Sequence, residues 1–240
     1  MIERILPSHV AVSEAFRDPL GTVLFPAERR LIEKSVESRR REFTTARRCA
    51  REALGKLGLP PRPILPDHHG APQWPEGVVG SITHCAGYRA AALARTTDVM
   101  LLGIDAEPNL PLPEGILESI ALPEEQRRIR RMRRAAPEVH WDRLLFGMKE
   151  CVYKSWYPYT GQRLEFEDAD ISFDVGVTTF TAQLRLPHHP PRRPPTDRLE
   201  GRWLAHKGLL ITAISLMTTS SRKVGDGVSS AAAPPGVHIR

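Results

Sequence analysis

The sequence predicts an α+β fold made of two similar halves. A helix-forming stretch followed by apolar strand segments occurs twice, before and after about residue 103. Each half closes on a hairpin-like pair, at 88–104 and at 202–216. The second helical stretch, 138–157, sets Trp141, Leu144, Leu145, Met148, Val152 and Trp156 at three- and four-residue steps, an apolar stripe suited to packing on a sheet. Residue-level similarity between the halves is too slight to establish a repeat.

A chain of 240 residues has room for one large domain or two small ones, and 41% hydrophobic content supports a packed core. No segment has the length of a membrane span, and the acid-interrupted start lacks a signal peptide's apolar run. Cys49, Cys85 and Cys151 form no Cys-x-x-Cys pair and read as free thiols in a reducing cytoplasm. The formal net charge is +6, mostly from arginine. Its planar fork suits phosphate and carboxylate. Charge alone does not choose between nucleic acid, an anionic cofactor and an acidic protein.

Taken in order, residues 1–26 are punctuated by proline, with an extended segment at 21–25. A helical pattern runs from 27 to 57 and stops at Gly58 and Pro60. It carries Arg39, Arg40, Arg41, Arg47, Arg48 and Arg51, either a solvated face or an anion cradle. Residues 60–77 are loop. A strand at 78–85 runs through Thr83 and His84 to a glycine turn, a second spans 88–94, and 95–98 turn back into a strand at 99–105. His68, His69, His84 and Cys85 match no common zinc spacing. His84 beside Thr83 and the glycines suits a phosphate contact; the plainer reading is a satisfied interior histidine.

After a proline-rich loop, 114–121 precede a helix that opens at Pro123 with two glutamates behind it. That helix carries Arg127, Arg128, Arg130, Arg131, Arg133 and Arg134, a solvated face, a nucleic-acid patch or a docking surface for an acidic protein. It has no interleaved aromatics for base stacking. The 138–157 helix ends at Pro158. Strands at 169–175 and 178–186, a mobile loop at 187–195, a last hairpin through Lys207 and Gly208, and a disordered tail from 218 complete the chain.

Chemistry concentrates at two places. Glu150 and Lys154 share one face of the 138–157 helix, with Arg143, away from the apolar stripe. Alone they read as a solvated pair worth a few tenths of a kcal/mol. Asp105 and Glu107, two apart at the end of the 99–105 strand, project to one side. Three carboxylates form a hard-oxygen site of the kind that Mg2+ shares with substrate phosphates and water.

Three motifs stand in order: Trp74-Pro75 running through Gly80-Ser81 to Thr83-His84 and Tyr88; Gly103-Ile104-Asp105-x-Glu107; and Lys149-Glu150-x-x-Tyr153-Lys154. With them the chain, over about 27–216, resembles a 4'-phosphopantetheinyl transferase. It is similar to the larger, two-lobed type that serves siderophore, peptide and polyketide synthetases, actinobacterial members above all. The resemblance implies two α+β lobes related by a pseudo-two-fold, 1–103 and 104–217, with 218–240 a tail. Coenzyme A and Mg2+ (or Mn2+) would sit in the cleft between the lobes. It implies Asp105, Glu107 and Glu150 as metal ligands; Thr83 and His84 on coenzyme A phosphates; Lys154, Lys149 and Tyr153 along coenzyme A; and Arg40 and Arg47 at the nucleotide end, with Arg39 or Arg48 as alternatives. Glu150 would take the acceptor serine's proton, and Lys154 and Asp105 complete the catalytic group. An acidic carrier protein would dock on 127–134. No nucleic acid or membrane is implied, and the enzyme would be a cytoplasmic monomer. One departure is Gly70-Ala71-Pro72, where many relatives carry lysine between Gly and Pro; that basic contact to coenzyme A is either missing or supplied by His69 or Arg62. The competing classes are a coenzyme A hydrolase, a nucleic-acid module, whose backbone three carboxylates would repel, and an inactive scaffold.

Overall fold

The computed structural model describes residues 1–185 and 192–218. Residues 187–191 of the predicted loop and 219–240 of the predicted tail lie outside them. Strands β1 (Ala11–Ala15), β2 (Val78–Cys85) and β3 (Tyr88–Arg95) form an antiparallel sheet in the order β1-β3-β2. Between β1 and β2 lie helices α1 (Pro26–Leu31) and α2 (Glu37–Lys56). The pleat of β3 sends Ala91 and Leu93 to α2, where Cys49, Ala50, Ala53 and Leu54 meet them, and sends Ala90, Ala92 and Ala94 to the opposite face.

Strand β4 (Val99–Pro108) opens a second sheet with β5 (Ala169–Asp174), β6 (Thr179–Leu184), β7 (Arg198–His206) and β8 (Leu209–Met217). It is antiparallel in the order β4-β8-β7-β6-β5. Helices α3 (Ile116–Ile120), α4 (Pro123–Ala135) and α5 (Trp141–Thr160) lie between β4 and β5. The α5 stripe behaves as its spacing predicts. Trp141, Leu144, Leu145, Met148, Val152 and Trp156 are each at most 1% exposed and pack on Phe180, Trp203 and Ile214. Gly103 lets β4 come this close: a Cβ there would lie 2.3 Å from the Cys151 carbonyl oxygen of α5.

The sheets meet in a shared core of Ala90, Ala92, Leu102, Ile104, Ile211 and Ala213. At their seam, side chains replace a ladder. The amides of Ile104 and Ala106 donate to Ser81 Oγ at 3.1 Å and Thr83 Oγ1 at 3.0 Å.

The structure corrects several expectations. Residues 95–98 do turn the chain, but β4 crosses to the second sheet and pairs with β8, because both faces of β4 have apolar partners there. The expected boundary at 103 falls inside β4. The 27–57 pattern breaks at 32–36, where Ile32 folds onto Leu24 and Phe43. Residues 21–25 form no strand, and β1, unpredicted, exists by pairing with β3, Ala11 opposite Leu93. Pro158 lies within the last turn of α5, where little remains of the ladder for it to break. The helix ends instead at Gly161, with φ of 70°.

Candidate active site

Burial of the α5 stripe turns Glu150 and Lys154 toward β4 and β2. Lys154 Nζ lies 2.5 Å from Asp105 Oδ1, and Thr83 Oγ1 donates to the same oxygen at 3.2 Å. Asp105 is 3% exposed, and its Oδ2 is buried with no hydrogen-bond partner among the described residues. Beside it stands Gly147, where a Cβ would come within 3.2 Å of Oδ2 and 3.8 Å of Glu107 Cγ. A mid-helix glycine costs roughly 1 kcal/mol against alanine; here it leaves space against two carboxylates. Arg143 Nη1 donates to Glu107 at 3.1 Å and is anchored to the carbonyls of Leu110 and Pro111.

Burial, then the neighbouring Asp105, pushes the Glu107 carboxyl up, against the pull of Arg143. Burial also pushes Glu150 up, with Lys154 opposing and Asp105 adding. Burial pulls Lys154 down, but Asp105 and Glu150 outweigh it and the ammonium is held above its ordinary range. An orphaned carboxylate oxygen, two carboxyls that resist ionising and a gap beside them are what a hard cation with oxygen ligands would relieve. The residues therefore fit Mg2+. They fit it as an open site: among the described residues no three His, Cys, Asp or Glu side chains already converge as a cage. An ion held by one or two carboxylates and completed by phosphate and water needs no cage.

Glu150 and Lys154 also border a cavity of about 510 Å3 between α2, β2, the 66–72 loop and α5. Arg39, Phe43 and Arg47 line its α2 side, His84 its β2 side, and Tyr153 and Tyr157 its α5 side. Arg47 is 7% exposed, lies over the Phe43 ring and donates to the Ile64 carbonyl at 2.8 Å. Burial pulls its guanidinium down to about 10 despite nearby Glu28. Tyr153 and Tyr157 stack at 5.7 Å, and the Tyr157 hydroxyl donates to Asp67. Although His84 is solvent-exposed, desolvation by the cavity walls, supported by Arg39, holds its imidazole below its ordinary range.

Three residues stand elsewhere than the resemblance implies. Lys149 does not face the cavity at Arg39 and His84. It is 3% exposed, and its ammonium is used up by Glu125 at 2.9 Å and the carbonyls of Phe166 and Ala169. Thr83 is buried against Asp105 and the Ala106 amide and does not border the cavity. Arg40 is exposed, donates to the Glu33 carbonyl and leaves the cavity to Arg39. Helical period explains the last: Arg39, Phe43 and Arg47 recur every four residues on one face, and Arg40 is a quarter-turn off. Arg48 pairs with Glu52 and Arg51 with the buried Glu28. Sequence reading placed Arg143 on the Glu150 face but not against Glu107, and it missed the Gly147 gap, although a glycine inside a strong helix pattern was a visible signal.

The arginines of α4 also separate. Arg128 reaches the Ile171 carbonyl and Arg133 the buried Asp142. Arg127, Arg130, Arg131 and Arg134 share the outer face and line a shallow depression. Arg127 pairs with Glu124, whereas Arg130, Arg131 and Arg134 have no hydrogen-bond or ion-pair partner among the described residues.

Comparison with known proteins identifies the family. Residues 27–94 match the model of the 4'-phosphopantetheinyl transferase N-terminal domain, and 101–193 that of the 4'-phosphopantetheinyl transferase superfamily. The chain is 49% identical to the 4'-phosphopantetheinyl transferase Svp of Streptomyces mobaraensis over 219 residues, 90% of this chain and 89% of Svp. It is 45% identical to PptT of Mycobacterium tuberculosis, covering 90% of this chain and 98% of PptT. It is 46% identical to Npt of Nocardia iowensis, covering 90% and 99%. Two family models in sequence and near-half identity over nine-tenths of the chain make this protein a member of the 4'-phosphopantetheinyl transferase superfamily.

Proposed function

We propose that the chain transfers the 4'-phosphopantetheinyl group of coenzyme A to a serine of apo acyl or peptidyl carrier proteins, releasing adenosine 3',5'-bisphosphate, with Mg2+ or Mn2+ bound. The carrying observation is convergence. Glu150 and Lys154, the latter bound to the buried Asp105, meet Arg39, Arg47 and His84 around one cavity, so acids that suit a metal adjoin bases that suit a nucleotide. In this reading the cleft separates two lobes that meet at the 95–98 turn, ahead of β4, rather than at the expected 103. A pseudo-two-fold between them is supported by two helices of 20 residues, α2 and α5, each covering its own sheet.

Asp105 and Glu150, with Glu107, would hold the metal, which when bound neutralises pyrophosphate charge. Arg39, Arg47 and His84 bind the anionic nucleotide end, and Tyr153 and Tyr157 wall the cavity. Transfer of this kind needs alignment and charge balance more than covalent catalysis. Glu150 has no hydrogen-bond partner among the described residues, and burial raises its basicity. It takes the serine proton directly or through a water as the serine oxygen bonds to phosphorus. Lys154 stabilises the oxygen of the leaving adenosine bisphosphate. The unpaired arginines of α4 present positive charge to an acidic carrier. No helix of the described residues is long and apolar enough to cross a membrane; a cytoplasmic monomer is part of the same reading.

Intact-protein mass spectrometry of an apo carrier incubated with the chain, coenzyme A and Mg2+ tests this. One added phosphopantetheine, abolished by EDTA, is expected. Breakdown of coenzyme A with no acceptor present would point to a hydrolase and overturn it.

A further inference from the structure

We propose that Glu42 makes His84 an anion contact that takes up a proton: neutral while Arg39 is its neighbour, the ring becomes an imidazolium when a phosphate enters between them. The inference rests on the coenzyme A reading of the cavity.

Arg39 Nη1 lies 2.9 Å from His84 Nε2. A guanidinium only donates, so Nε2 accepts, and the proton of the neutral ring sits on Nδ1. Nδ1 faces Glu42 Oε2 at 3.7 Å. Arg39 and Glu42 come from α2; Lys154 from α5 and Arg89 from β3 are the other charges facing the ring. Three cations thus disfavour the imidazolium, and one carboxylate favours it.

A phosphate oxygen offers only lone pairs. The Nε2 lone pair would repel it unless the ring changes tautomer or gains a proton. Glu42 decides between these by charge: at 3.7 Å from Nδ1 its carboxylate lies beyond hydrogen-bond reach but close enough to favour the positive ring over a neutral tautomer. The proton comes from solvent to Nε2, both Arg39 and His84 then donate to the same anion, and the proton returns to solvent when the product leaves. Glu42 is a positioning residue here: it contacts His84, not the substrate.

The test follows the His84 ring proton by NMR against pH, in the full chain with constant Mg2+, free and saturated with coenzyme A. Wild type, Glu42→Gln and Glu42→Asp are compared. In wild type the His84 curve should move to higher pH on binding. In Glu42→Gln it should move at most half as far, with KM for coenzyme A beginning its rise at a lower pH. Glu42→Asp should restore both. The variants' melting temperatures check that folding is intact. Binding with an unmoved His84 curve overturns the inference and leaves the coenzyme A reading standing, as does an equal shift in wild type and Glu42→Gln. No binding of coenzyme A overturns both.

Discussion

One oxygen of Asp105 serves Lys154 and Thr83, while the other is buried without a partner among the described residues. Core volume does not depend on that second oxygen. Asp105→Asn should therefore lower transfer by at least about 100-fold, since a charged ligand of the proposed metal is lost, with the circular dichroism spectrum retained. Near-wild-type turnover would remove Asp105 from the metal site. Lys149, its neighbour in sequence logic, behaves oppositely. Its ammonium donates to Glu125 and to the Phe166 and Ala169 carbonyls, and the Glu125 carboxylate accepts the Leu122 and Ile171 amides in a dry setting. Lys149→Met strands a buried carboxylate and should cost roughly 3–5 kcal/mol in urea unfolding; an unchanged midpoint would show the pair to be solvated. Protonation offers a third check. The carboxyls of Glu107 and Glu150 are raised, chiefly by burial. The folded state then holds protons that the unfolded chain has released, so their contribution to stability falls as pH climbs above the ordinary carboxylate range. A divalent cation replaces those protons. Mg2+ should accordingly raise the melting temperature more at pH 7.5 than at pH 5, measured by thermal shift against EDTA. Equal shifts would speak against carboxylate ligands.

At the scale of elements, α4 shows how one charge run holds two kinds of residue. Arg128 and Arg133 reach back to Ile171 and Asp142, and the outer arginines do not. Replacing Arg130, Arg131 and Arg134 with alanine should raise KM for the carrier several-fold and leave KM for coenzyme A unchanged, in steady-state assays with each substrate varied. Equal effects on both would show that the face is not a docking surface. Arg133→Ala belongs outside that set, because it leaves the Asp142 carboxylate, 2% exposed, short of a partner. The α5 helix was legible from its stripe alone, and the faces carrying Glu150 and Lys154 followed from it. The α2 arginines were not separable, because six candidates on one amphipathic helix differ only in what lies opposite each.

For the whole molecule, the seam between the sheets sets the site. Ser81 and Thr83 accept the Ile104 and Ala106 amides, so β2 and β4 adjoin without a main-chain ladder, and Asp105 sits between Thr83 and α5. Ser81→Ala leaves the Ile104 amide without its acceptor and should destabilise by about 1–3 kcal/mol. A chemical melt would show it, and no change would mean that another acceptor takes over. The seam had no signature in the chain, where 78–105 reads as three consecutive strands of one meander. What the sequence alone determined were the elements and their buried faces: the α5 stripe, the 78–85 and 88–94 strands, the acids at 105, 107 and 150, and the α+β class. Periodicity encodes those directly, since each residue's direction is set by its own helix or strand. The tertiary structure alone decided that β4 leaves β3 for β8, that Arg39 and not Arg40 borders the cavity, and that Lys149 is bound to Glu125. Those outcomes depend on which distant surface covers a face, and a local pattern states that a face is buried without stating by what.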